Sequence, residues 1–237
     1  EDTVNGVSFS GIEAFDITTG SGDDFIALNS APGTAGHRIV SNGGNDTLYG
    51  AGGRDTLDGG AGNDSISGGS GDDLIRVQSG FDNVAGGEGV DTLVVDYSAA
   101  TQRVVSSVGP DGTGGASGYF EDTVNGVSFS GIEAFDITSG SGADFIALNS
   151  APGMAGHRIV SNGGNDTLYG GSGKDTLDGG AGNDTLVGGV GNDFLTGGSN
   201  DNDWFVWESG DGGSNGQSSD DRISDFNASL DCQFAVP

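Results

Sequence analysis

The sequence holds a single cysteine, Cys232, so no internal disulfide can staple the chain and no cysteine-based zinc or iron–sulfur site can form. Lys and Arg together number 7 against 35 Asp and Glu, a formal charge of -28. That imbalance repels nucleic-acid phosphates and anionic membrane surfaces, so no nucleic-acid partner is expected. Apolar runs are only a few residues long, too short for a transmembrane helix. The sequence does not begin with Met, and its first residues show no charged-then-apolar stretch of the secretory kind. Apolar spacing of three and four never persists for a dozen residues, so no helix is expected either. Hydrophobic residues make up 33% of the chain, which leaves little for a core. The chain is rich instead in glycine, 49 of 237 positions, about a fifth against roughly 7% in ordinary proteins. It is also rich in carboxylates, whose expected partners are cations.

Two periods organise these residues. Residues 1–64 and 121–184 match at 58 of 64 positions, so the chain contains a tandem duplication; the differences are Thr19/Ser139, Asp23/Ala143, Thr34/Met154, Ala51/Gly171, Gly52/Ser172 and Arg54/Lys174. The second period is nine residues, and a short period of this kind marks a solenoid. Residues 41–94 read SNGGNDTLY, GAGGRDTLD, GGAGNDSIS, GGSGDDLIR, VQSGFDNVA and GGEGVDTLV without a gap. Asp46, Asp55, Asp64, Asp73, Asp82 and Asp91 all fall in the sixth place, and Leu48, Leu57, Ile66, Ile75, Val84 and Leu93 in the eighth. Residues 161–196 repeat the pattern around Asp166, Asp175, Asp184 and Asp193, and a longer unit, GGSNDNDWFV, places Asp203 ten residues on. Looser units at 19–27 and 139–147 contribute Asp24 and Asp144, each followed by a four-residue insertion, in the first copy around Ala31, Pro32 and Gly33.

Glycines in the first four places let about six residues make a tight turn that aims carbonyl oxygens at one point. The last three residues then form a short strand, with the apolar eighth side chain inward and the seventh and ninth in water. Two nonapeptides close one turn of a flattened coil, and coils stack about 4.8 Å apart as two parallel sheets. One buried Leu or Ile per nine ordered residues does not offset their backbone entropy, and stacked aspartates add repulsion. A hard divalent cation answers both problems, because calcium takes six to eight oxygens from carboxylates and carbonyls in forgiving geometry, whereas magnesium demands a stricter octahedron. Turns 18 residues apart lie on one edge, so the aspartates expected to share an ion are 46/64, 64/82, 55/73, 73/91, 166/184, 175/193 and 184/203, with 24/46 and 144/166 as irregular pairs. About seven to nine calcium ions follow from that stacking.

The units GGAGNDSIS, GGSGDDLIR and GGAGNDTLV resemble the GGxGxDxUx repeat of the RTX (repeats-in-toxin) proteins, the hemolysin-type calcium-binding repeat. The resemblance implies an all-β fold of calcium-bound parallel β-rolls, here duplicated. It implies that the sixth-place aspartates named above are the acidic ligands. The carbonyl donors would be Gly50, Gly59, Gly60, Gly62, Gly68, Gly69, Gly71, Gly86, Gly87 and Gly89, and in the second array Gly170, Gly179, Gly180, Gly182, Gly188 and Gly189. Asn42, Ala51, Val77 and Gln78 replace early glycines, and sites at those turns should be weaker. The family is also typically exported by bacterial type I secretion machinery, unfolded in the low-calcium cytosol and folded outside, so a secreted, extracellular location is implied. DWFVW at 203–207 and DDRISDFN at 220–227 are similar to the strand and cap that end many such arrays. The sequence stops at LDCQFAVP, shorter than the usual tail, so a truncated export signal is expected.

The expected organisation is a β-strand cap at 1–40, a first roll at 41–94, a β-rich connecting segment at 95–140, a second roll at 141–206 and a cap or tail at 207–237. Val7, Phe9, Phe15 and Ile17 read as two strands with a kink near Gly11 and Ile12, as do Val127, Phe129, Phe135 and Ile137. Further strands are expected at 92–97, 103–108 and 118–124, with a loop at 109–118, and this block is expected to carry the aromatic core that the rolls lack. Other motifs fall away on inspection. His37 and His157 are one residue in two copies with no companion His and read as turn residues. GGSNG at 212–216 matches GxSxG but has no strand, helix or His partner. GSGKD at 171–175 has Asp175 where a phosphate loop needs Ser or Thr, and an EF-hand loop begun at Asp201 meets Phe205 in its fifth place. Asp72 and Asp73 read as a solvated carboxylate beside a metal ligand rather than a glycosidase pair. The outward row of Thr47, Thr56 and Thr92 is broken by Ser65, Leu74 and Asn83, which argues against an ice-binding face.

The function expected is therefore a non-catalytic calcium-binding module that folds on Ca2+ outside the cell and stabilises or assists secretion of a larger protein. The alternative is an accessory module of a secreted enzyme or adhesin that binds carbohydrate, polysaccharide or a cell surface. A parent enzyme such as a protease, lipase or polysaccharide-modifying enzyme would carry its catalytic groups elsewhere.

Overall fold

In the computed structural model, residues 2–4, 7–9, 13–28, 35–148, 155–198, 202–207, 222–225 and 232–235 are described, and for 2–4, 7–9, 207 and 232–235 only the backbone. Every regular element among them is a strand, gathered into one sheet of 14 strands and one of 10. Alternation makes the strands: in Thr47–Gly52 and Thr56–Asp58 the eighth-place Leu48 and Leu57 are fully buried while Tyr49 is exposed and Thr56 and Asp58 are half-buried. The coils repeat in the expected register, with Leu48 beside Ile66 in the first sheet and Ile39 beside Leu57 in the second, all parallel. The four-residue insertion is absorbed without loss of pairing, so Arg38 pairs with Asp16 and Thr47 with Phe25, in each case 22 residues apart. The extra residue before Asp203 is absorbed likewise, with Thr185 beside Trp204.

Several strands of the first sheet run further than three residues. Thr47–Gly52, Ser65–Ser70 and Phe81–Glu88 continue into the glycine-rich places, because Ala51 pairs with Gly69 and Gly69 with Gly87. Each turn on that edge is thus a ladder in itself.

Strands of both arrays lie in the same two sheets. In the second sheet Thr92–Asp96 of the first array pairs in parallel with Ala134–Thr138, and this in turn with Arg158–Val160. In the first sheet Gly126–Ile132 pairs in parallel with Phe81–Glu88. An antiparallel hairpin, Val105–Pro110 and Ala116–Glu121, is laid between it and Phe145–Ala147, the one departure from parallel order inside the stack. The expected strands at 92–97, 103–108 and 118–124 and the expected turn between the last two are all present, with bounds displaced by up to three residues. The block does supply aromatic core: Phe120 stacks on Phe129 with centroids 5.3 Å apart, and Phe135 meets both edge-on at 5.6 and 5.1 Å. In the repeats of the first array the interior is a file of aliphatic residues, with Ile39, Leu57 and Ile75 on one sheet facing Leu48 and Ile66 on the other.

The duplicated segment folds in two ways. Val7–Phe9 forms an antiparallel pair with Asp2–Val4, and that strand an antiparallel pair with Phe25–Ala27. The identical copy at 122–129 makes a turn at Asp122–Asn125 and then a strand parallel to the first array. The second copy stacks on the last coil of the first array, whereas among the described residues Asp16–Thr18 of the first copy ends its sheet. The insertion at 29–34, the GGSNG segment at 212–216 and the rest of the tail apart from 222–225 and 232–235 lie outside the described residues.

Candidate metal centre

Each glycine-rich turn places its sixth residue at the entrance to the next strand, and there the stacking repeats atom for atom. The backbone N–H of one aspartate donates to Oδ1 of the aspartate one coil on. On one edge Asp24 donates to Asp46 at 2.8 Å, Asp46 to Asp64 at 2.9 Å and Asp64 to Asp82 at 2.9 Å. On the other Asp55 donates to Asp73 and Asp73 to Asp91, both at 2.8 Å. In the second array the same bond joins Asp144 to Asp166 at 2.7 Å, Asp166 to Asp184 at 2.8 Å, Asp175 to Asp193 at 2.9 Å and Asp184 to Asp203 at 3.0 Å. All nine pairs expected from the spacing are brought together, the 19-residue pair included.

All but the half-buried Asp24 are buried, with Asp55 1% and Asp91 0% exposed, yet each bond above occupies only one oxygen. Oδ2 of Asp46, Asp55, Asp64, Asp73, Asp82 and Asp91 is buried with no hydrogen-bond partner. A buried acceptor left so costs about 1–3 kcal/mol, and more when charged. The first glycine of each unit borders that oxygen: a side chain at Gly50, Gly59, Gly68, Gly170, Gly179 or Gly188 would run into Oδ2 of Asp55, Asp64, Asp73, Asp175, Asp184 or Asp193. At Gly50 and Gly68 it would also meet the carbonyl oxygen of the next coil, of Gly68 at 2.6 Å and of Gly86 at 2.7 Å. The later glycines, Gly60, Gly62, Gly69, Gly71, Gly87, Gly89, Gly180, Gly182 and Gly189, lie so close to a carbonyl of the preceding coil that a Cβ would strike it. Asn42 and Ala51 adopt the left-handed backbone that glycine would, with φ of 65° and 81°.

Burial pushes the carboxyls of Asp55, Asp64, Asp73 and Asp166 up to about 6, and those of Asp82 and Asp91 to about 7. The N–H donated by the preceding coil opposes that shift, and for all of these but Asp55 the neighbouring carboxylate adds to it. Among the described residues no three carboxylate, imidazole or thiolate groups converge on one point. A site here would draw on two carboxylates and on backbone carbonyls such as those of Gly68 and Gly86, the oxygen-rich, flexible donor set that suits calcium. The residues fit the ion.

Two positions depart from the expected list. His37 and His157 occupy the aspartate's place in their turns: His37 N–H donates to Asp55 Oδ1 at 2.6 Å and His157 N–H to Asp175 Oδ1 at 2.7 Å, while Nδ1 accepts from Phe15 and Phe135 at 3.2 and 3.3 Å. The imidazole thus continues the ladder as a neutral acceptor, and burial lowers the His157 pKa to about 4. The turn role read from the sequence holds, and its position in the ladder was legible as 18 residues before Asp55. Glu133, by contrast, was missed. Its Oε2 accepts the Asp91 N–H at 2.8 Å, although it lies outside the nine-residue register.

Parallel coils closed by Gly-Asp turns, with carboxylates stacked along both edges, define a parallel β-roll. The model of the RTX calcium-binding nonapeptide repeat matches residues 33–66, 40–75, 67–96, 158–186 and 178–205. The two arrays belong to that family, whose repeats bind calcium. A comparison with curated proteins gave no match.

Proposed function

We propose that the chain is a calcium-switched folding module of a larger secreted bacterial protein, disordered where calcium is scarce and rolled up once outside the cell. The observation that carries the proposal is the row of buried Asp Oδ2 atoms without partners beside stacked carbonyls. Such a row is unfavourable without a cation and favourable with one. The ligands would be the thirteen aspartates of the two edges with carbonyls of the glycine places, for about seven to nine ions. Ions that bind only the folded state add roughly 4 kcal/mol each at a thousand times their dissociation constant. Calcium concentration then sets the fold. In the low-calcium state the chain is an acidic, glycine-rich polymer suited to passage through a type I exporter, and folding on the far side would oppose its return.

Circular dichroism during a calcium titration tests this. The β signal should appear cooperatively with calcium, vanish with EGTA and respond far less to magnesium; a β signal unchanged by EGTA would overturn the proposal.

A further inference from the structure

We propose that Asp91 and Glu133 form an additional calcium site at the junction of the two arrays, built by a turn that does not belong to the repeat. The inference rests on the calcium reading above. In the second sheet Thr92 pairs with Ala134, which sets Glu133 opposite Asp91 in the sixth-place position. The bonding follows suit: Asp91 N–H donates to Glu133 Oε2 at 2.8 Å as Asp73 N–H donates to Asp91 Oδ1, and Ala134 N–H donates to the Asp91 carbonyl at 3.0 Å as Thr92 N–H does to Asp73.

The remaining donors are also in place. Asp91 is fully buried, and its Oδ2 has no hydrogen-bond partner. A side chain at Gly86 would meet that Oδ2 at 2.6 Å and also strike the Gly131 carbonyl, just as one at Gly68 would strike Asp73 Oδ2 and meet the Gly86 carbonyl. Gly131 therefore supplies the carbonyl and Glu133 the carboxylate that a full glycine-rich turn supplies elsewhere. The turn between Gly126–Ile132 and Ala134–Thr138 is too short to carry an aspartate inward. Gly131, at φ 63°, starts the bend, and the extra methylene of glutamate spans the difference.

The duplication provides an internal control. Glu13 has the same sequence surroundings, but Asp16–Thr18 is the terminal strand of its sheet and Glu13 is exposed. Among the described residues no carboxylate stacks against it.

Native mass spectrometry of the calcium-loaded chain counts the ions. Glu133→Gln keeps an oxygen to accept the Asp91 N–H and should bind one ion fewer than wild type, whereas Glu13→Gln should bind the full number. Asp91→Asn, which would lose the Asp73/Asp91 ion as well, should bind two fewer, and it decides the matter should Glu133→Gln fail to fold by circular dichroism in calcium. An unchanged count in folded Glu133→Gln, or a single ion lost in Asp91→Asn, overturns the site. A wild-type chain that binds no calcium would instead overturn the reading beneath it.

Discussion

The backbone N–H of Asp55 donates to Oδ1 of Asp73 at 2.8 Å, and the second oxygen of that carboxylate is buried without a partner. Asp73 N–H in turn donates to Asp91, so Asp73 belongs to two pairs. Asp73→Asn still accepts the Asp55 N–H but presents an amide where an anion stood. It should lose two ions by native mass spectrometry, at a cost of about 4 kcal/mol per ion when calcium is a thousand times its dissociation constant. Asp72, whose side chain is 52% exposed, is the control. Asp72→Asn should keep every ion and shift the urea midpoint in calcium by less than about 0.5 kcal/mol equivalent. Equal losses in the two variants would show that the stacked row is not the ligand set.

Ala51 sits at φ 81°, where its counterpart in the second copy is Gly171 at φ 105°. A left-handed backbone costs a residue with a Cβ about 1–2 kcal/mol. Ala51→Gly should therefore stabilise the first array by about 1 kcal/mol, and Gly171→Ala should destabilise the second by a similar or larger amount. Thermal unfolding in saturating calcium reads both. A destabilised Ala51→Gly would mean that its methyl packs favourably enough to outweigh the backbone term.

Much of this architecture was legible because two periodicities coincide. Asp64 and Ile66 recur with their equivalents every nine residues, and side chains alternate faces every two, so burial of Ile66 and stacking of Asp64 on Asp46 follow from counting. Even the late Asp203 could be placed, because its unit has one extra residue and the strand after it keeps the phase. Glu133 could not, since the single residue between Gly126–Ile132 and Ala134–Thr138 carries no period and its role depends on the pairing of Thr92 with Ala134. Nor could the sequence foretell that the segment around Val7 and its copy around Val127 pair differently, because the words are identical and only the neighbouring coil differs. The length of strands such as Phe81–Glu88 was hidden for a related reason: glycine has low strand propensity, but here the ladder bonds of the stacked coils hold it extended.

The edge that runs through Asp55, Asp73 and Asp91 is tested by the turn that lacks a carboxylate. His157 fills the sixth place, accepting the Phe135 N–H as an aspartate would. His157→Asp should supply a second carboxylate above Asp175, whose Oδ1 already holds the residue-157 N–H at 2.7 Å. One additional ion is expected by native mass spectrometry, and the mid-transition calcium concentration should fall. An unchanged count would show that the aspartate ladder alone does not define a site and that the turn's own carbonyls decide.

Acid should separate the calcium-free roll from the loaded one. In the free roll Asp55, Asp64, Asp73 and Asp166 titrate near 6 and Asp82 and Asp91 near 7, all above their ordinary value of 3.8. Raised carboxyl pKa values mean that the folded state holds more protons, so their contribution to stability is full below about pH 4 and is lost as the pH climbs through 6 to 7. His157 works the other way: lowered from 6.5 to about 4, it favours the fold above 6.5 and withdraws that support as the pH falls. Six carboxyls outweigh one imidazole, so in EGTA the chain, unfolded at about pH 7.5, should recover part of its β signal as the pH falls to about 5. With calcium the order reverses, because the ion needs the carboxylates deprotonated and must displace their protons. Apparent calcium affinity should therefore weaken over the same interval. Circular dichroism in EGTA and calcium titrations at both pH values give the answer; a β signal in EGTA that is no greater at the acid end would show that the stacked aspartates are not what limits the metal-free fold.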